Sequence, residues 1–202
     1  MSDQSLIDFL QPAQKDPSHR VHDFCVQIEN ILHSYDYQFD AFSELLQNSV
    51  DAILERWDRE DGGFSPRIDV TIDYRTNRLT VLDNGCGVRP KDVEFVLRPN
   101  CSLKRRLGQK TARGEKGAAV VFLQFGHRSF EFHSKHPEGE SSYVLHDGQN
   151  WFRKVSESVQ SSGDAAPEIP TSEYKITNQI DSELGALDRG CLLYTSPSPR
   201  DS

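Results

Sequence analysis

Glu44, Asn48 and Asp51 are spaced four and three residues apart, which puts them on one face of a helix at 3.6 residues per turn. A carboxylate, an amide and a second carboxylate on one stripe can take a proton from water and offer oxygens to a hard cation. The same stripe also suits the solvated side of an ordinary amphipathic helix. A second group is Asp83-Asn-Gly-Cys-Gly-Val88, in which a strand ends on an acid followed by alternating glycines. Such glycines belong where the backbone approaches another group closely, or in a plain Asn-Gly turn. A third is Gly114-Glu115-Lys116-Gly117-Ala118, two glycines three apart opening an apolar run to Leu123. Free N–H groups at a helix start favour an anion such as phosphate. The spacing matches neither a Walker loop nor a dinucleotide fingerprint.

The elements that must hold these groups follow from periodicity. Apolar residues recur at helical spacing from Val21 to His33, and again from Asp40 to Trp57, the helix that carries Glu44, Asn48 and Asp51. Residues 68–74 and 79–82 alternate apolar and polar and read as a hairpin that delivers the chain into Asp83. Strands are expected at Ser129–Lys135, Ser142–His146 and Trp151–Val155, with turns at His136–Gly139 and Asp147–Gly148, and one further strand at Ser172–Ile180. Residues 156–170, poor in apolar side chains, read as a loop.

Composition narrows the function classes. The 202 residues hold 23 Lys and Arg against 31 Asp and Glu, a net charge of −8 that argues against the whole chain binding nucleic acid or an anionic membrane. Positive charge is instead concentrated in residues 89–116, with nine basic residues against three acids, a segment that suits an anion, nucleic acid included. No apolar run reaches the roughly 20 residues of a membrane helix, and no signal peptide opens the chain. Cys25, Cys86, Cys101 and Cys191 lack Cys-x-x-Cys spacing, so free thiols in a reducing, cytoplasmic setting are expected. His133 and His136 lie on opposite faces of a strand and form no metal pair.

Taken together, the acid-amide-acid helix, the strand into Asp-x-Gly-x-Gly and the basic connection into Gly-x-x-Gly resemble the GHKL, or Bergerat-fold, ATPase superfamily over roughly residues 20–155. That superfamily includes gyrase-type topoisomerases, ninety-kilodalton heat-shock chaperones, sensor histidine kinases, MutL and MORC proteins. The resemblance implies an α+β, two-layer α/β sandwich whose mostly antiparallel mixed sheet has helices on one face. It implies an arm at residues 1–20 and an ATP-binding domain at 21–155. Residues 156–190 are then a loop and the start of a following domain, and 191–202, which resemble translated adapter sequence, a non-native or disordered tail.

Residue by residue, the resemblance makes Glu44 the general base toward the attacking water and Asn48 the ligand of Mg²⁺. Asp51 becomes a supporting acid, and Asp83 the acceptor for the adenine amino group. Gly85, Gly87 and Val88 then leave room for the base. Ser102 and Lys104 approach the phosphates from a lid at residues 89–113. Gly114, Glu115, Lys116, Gly117 and Ala118 form the second glycine box, and Ser134 backs the adenine contact. Ala119 stands where the chaperones carry a third glycine, as in MutL-type boxes. The implied activity is slow, lid-gated hydrolysis of Mg·ATP by the N-terminal module of a larger chaperone-, MutL- or MORC-like protein. A homodimer closing on ATP and an unidentified protein client remain open as partners. The alternatives are a nucleotide-binding switch with little hydrolysis, or a histidine-kinase-type catalytic domain, which the Asp51-Ala52 ending disfavours.

Overall fold

Two long helices draw their apolar stripes onto one sheet. α1 (Pro17–Ser34) buries Cys25, Ile28 and Ile31, three residues apart, and α2 (Asp40–Arg59) buries Leu45 and Ile53, eight apart. The computed structural model describes residues 17–34, 40–60, 62–98, 118–161, 172–175 and 182–196. Ser102, Lys104, Gly114, Glu115, Lys116 and Gly117 lie outside those residues.

After α2 the chain forms the hairpin β1 (Ile68–Asp73) and β2 (Arg78–Asp83), then a short helix α3 (Pro90–Val96). α4 (Ala118–Phe125) leads into the hairpin β3 (Ser129–His136) and β4 (Gly139–His146), followed by α5 (Gly148–Ser161), β5 (Ser172–Lys175), α6 (Ser182–Gly185) and β6 (Gly190–Ser196). The strands make one sheet in the order β1-β2-β6-β3-β4-β5. Every described pair is antiparallel, in keeping with the expected mostly antiparallel sheet.

The fold is α+β, in two layers. Leu79 and Val81 of β2, Phe130 and Phe132 of β3, and Cys191 and Leu193 of β6 join α1, α2, α4 and α5 in the main core. The alternate residues Leu82 and Leu192 face the other way and meet Leu184 of α6, so one four-residue helix does sit on the second face. α3 starts on Pro90, whose fixed φ and missing N–H suit the first helical position. No helix among the described residues is long and apolar enough to cross a membrane.

Two expectations are overturned. Trp151–Val155 is helical and belongs to α5, which runs on to Ser161 and so makes helix of the first six residues of the expected 156–170 loop. Trp151, Arg153 and Val155 do alternate, but Phe152 and Val155 are three apart, and both are buried beneath α4, where Phe125 meets the Trp151 and Phe152 rings at 5.8 and 6.4 Å. Burial on one helical stripe outweighs the period-two pattern. The segment from Cys191 is no disordered tail as far as Ser196: as β6 it lies in mid-sheet, with Leu193 opposite both Val81 and Phe132. Its short run Cys-Leu-Leu-Tyr-Thr is apolar enough to be buried on both faces. Among the described residues the sheet therefore continues past residue 155 with β5 and β6.

Candidate functional site

Asp83 is the last residue of β2 and only 4% exposed. The pleat turns it, like Val81 and Leu79, toward the helices, where α2 passes overhead. Its Oδ2 accepts a hydrogen bond from the Ser49 hydroxyl (3.2 Å), and its Oδ1 accepts one from the Gly85 N–H (2.9 Å). Burial pushes the Asp83 carboxyl up to about 6, against the opposing pull of the Gly85, Ser49 and Cys191 hydrogen bonds. At neutral pH it is an ionised acceptor enclosed by the protein. Three donors on the four lone-pair sites of a carboxylate leave one site, so a further N–H, such as a ring amino group, can be accepted.

The loop after Asp83 is clamped to α2. Cys86 N–H donates to Ala52 O (3.0 Å), and Arg56 Nη1 donates to Asn84 O (2.9 Å). A Cβ on Gly85 would lie 2.7 Å from the backbone carbon of Ala52, so glycine is required for the loop to touch the helix. Gly87 has φ +67° and stands so close to Lys135 O that a Cβ would fall 2.1 Å from it. Both glycines thus make room for the protein's own backbone, a reason different from the space for a base that the resemblance implies. Val88 N–H donates to the buried Ser134 hydroxyl (2.7 Å), which also donates to Val88 O (3.3 Å). Ser134 therefore pins the loop to β3.

Glu44, Asn48 and Asp51 sit on α2, respectively five residues before, next to and two residues after Ser49. Asn48 is exposed, Glu44 and Asp51 are half-buried, and Gln47 Nε2 donates to Asp51 Oδ1 (2.8 Å). Ala118 begins α4 and is buried in the core. The structure packs Asp83 and Gly85 against the α2 helix that carries Glu44, Asn48 and Asp51, and holds Gly87 and Val88 against β3 at Lys135 and Ser134. Among the described residues, no three His, Cys, Asp or Glu side chains gather as a metal cluster. An amide and a carboxylate on one helix suit a cation that keeps its waters and takes its remaining oxygens from phosphate. Burial raises the Cys86 thiol to about 12 and the Cys191 thiol well above its usual value, so neither serves as a nucleophile.

Arg56 lies outside the motif, and Ser49 and Ala52 belong to it but receive no role there. With Leu45 they form the inward stripe of α2 at spacings of four, three and four, and a serine and an arginine on an otherwise apolar stripe are the visible signal. Arg56 is buried. It also pairs with Glu60 (2.9 Å) and Asp188 (2.9 Å) and lies 4.2 Å over the Phe64 ring.

The family described as histidine kinase-, DNA gyrase B- and HSP90-like ATPase matches residues 35–183, well over half of the chain. No curated protein matches it.

Proposed function

The chain belongs to the histidine kinase-, DNA gyrase B- and HSP90-like ATPases, and from that premise we propose that it binds Mg·ATP with the adenine at Asp83 and hydrolyses it slowly under a lid. ATP binding is the general property of this family. The single observation that carries the adenine assignment is the buried Asp83 carboxylate, held by Ser49, Gly85 and Cys191 with one lone pair to spare. The adenine amino group donates to it, whereas guanine offers a carbonyl in the same place and is rejected.

In this reading Glu44 orients the attacking water and takes its proton, from a half-buried position on the same helix as Ser49. Asp51, with Gln47 donating to it, supports that stripe. Asn48 would hold Mg²⁺, which when bound neutralises phosphate charge and orients the terminal phosphate. Gly85, Gly87, Val88 and Ser134 hold the Asp83 loop against α2 and β3, so the acceptor is pre-formed before nucleotide arrives. Ser102 and Lys104 in the lid, and Gly114, Glu115, Lys116, Gly117 and Ala118, take the phosphate end; the concentration of basic residues in 89–116 supports that part. The domain works as the N-terminal module of a larger chaperone-, MutL- or MORC-like protein, with an ATP-closed homodimer as its working form. A cytoplasmic setting accords with the free thiols of Cys25, Cys86 and Cys191.

Single-turnover hydrolysis and equilibrium ATP binding test the assignment. Glu44→Ala keeps ATP binding within about threefold and lowers turnover by roughly 10²-fold or more. Hydrolysis by that variant at the parent rate overturns the role of Glu44.

A further inference from the structure

β1 is an edge of the sheet, and among the described residues no strand pairs with its outer side. Asn84 N–H donates to Arg67 O (3.2 Å), and the ladder continues from there as Ile68↔Asp83 through Asp73↔Arg78. By the alternation of an antiparallel ladder, Asp69, Thr71 and Asp73 turn their backbone groups toward β2. Ile68, Val70 and Ile72 turn theirs outward. The side chains of the same three residues lie on the helical side, since their partners Val81 and Leu79 belong there. Val70 and Ile72 are nevertheless 41% and 54% exposed. α2 adds exposed Val50, Leu54 and Trp57 on that side of the sheet, four and three residues apart on one stripe. An open edge and exposed apolar side chains thus coincide, which monomeric proteins ordinarily avoid.

We propose that β1 is the interface of a nucleotide-independent homodimer in which the β1 strands of two copies pair antiparallel about Val70, joining both sheets into one. The occupant is a second copy because the strand is self-complementary in charge. About Val70, Ile68 stands opposite the partner's Ile72 and Val70 opposite its own copy, with outward-facing backbone groups meeting at these pairs, while Arg67 stands opposite the partner's Asp73 as a side-chain pair. Turned about Thr71 instead, Asp69 would oppose the partner's Asp73 and Arg67 the partner's Arg75, setting like charges against each other at both ends. Arg67 pairs with Asp69 of its own chain (2.6 Å), so its guanidinium is held on the face where the partner's Asp73 would stand. A two-fold arrangement uses both β1 edges at once, so it closes as a dimer and does not propagate.

Sedimentation equilibrium of the full 202-residue chain without nucleotide tests this. The parent chain is dimeric at tens of micromolar. Val70→Lys, a change at an exposed position, weakens the dimer by more than about tenfold because two lysines then meet at the axis, while its circular dichroism and melting temperature match the parent's. A crosslink checks the register independently. In Val70→Cys the two Cα atoms stand about 5.5 Å apart, within disulfide reach, so diamide yields a covalent dimer in excess of the parent's background. Thr71→Cys, with its side chain on the other face and its copies out of reach, stays at that background. A parent chain that is monomeric at every concentration leaves this face to some other occupant and overturns the proposal. So does a dimer untouched by Val70→Lys, or a Val70→Cys crosslink no greater than that of Thr71→Cys.

Discussion

Asp83 carries two opposed demands, burial and charge. Its raised value, about 6, means that the folded chain binds more protons than the unfolded one between about pH 4 and pH 6, so folding stability falls as pH rises through that window. The ionised carboxyl costs roughly 3 kcal/mol at neutral pH. Asp83→Asn is therefore expected to flatten the pH dependence of denaturant midpoints between pH 4 and 6, while a slope equal to the parent's would show that Asp83 does not titrate there. A ligand amino group favours the ionised form, so the sign for binding is the reverse. Adenosine, with no phosphate to titrate, should bind best above pH 6 and lose up to about tenfold per unit below it, as fluorescence or calorimetric titration at several pH values would read. Ser49→Ala removes one donor from Asp83. It should raise the midpoint of that pH profile and cost about 1 kcal/mol in stability.

α2 and the loop after β2 act as one unit, since the loop has no room for a side chain where it meets the helix. Gly85→Ala would drive a Cβ into the Ala52 backbone and force loop and helix apart. Nucleotide affinity is expected to fall at least about tenfold, with the core of β3 and β4 keeping its hydrogen-exchange protection; unchanged affinity would mean that the clamp is not needed for binding. This unit is readable in the chain because its parts are local: a stripe at 3.6-residue spacing, and a strand ending in Asp-x-Gly-x-Gly. The reason for the glycines is not readable, because Ala52 and Lys135 meet them only in three dimensions. α5 misleads for a related cause. Trp151, Arg153 and Val155 satisfy a strand's alternation, and only the presence of Phe125 beneath Trp151 and Phe152 decides for the helix. Phe152→Ala should accordingly lower stability by roughly 3–5 kcal/mol, whereas a surface-like loss below about 1 kcal/mol would contradict its buried place.

Over the whole molecule, the sheet depends on β6, which joins the hairpin that presents Asp83 to the hairpin that presents Ser134. That dependence is invisible in the chain, where residues 191–196 follow a polar stretch and carry no turn signal or partner nearby; the partners lie about sixty and a hundred residues upstream. By contrast the long helices and the antiparallel hairpins follow from patterns within each element, while the α+β class and the convergence of α2 on the Asp83 loop are what the family resemblance implies. The most direct measurement of the central claim is isothermal titration of the folded chain with ATP and with GTP in the presence of Mg²⁺, alongside Asp83→Asn, which turns one acceptor into a donor. A saturable uptake of ATP that GTP does not share and that Asp83→Asn loses is the predicted result. No uptake of ATP by the folded parent, or equal uptake of both nucleotides by parent and variant, would contradict the assignment of Asp83 as the reader of adenine.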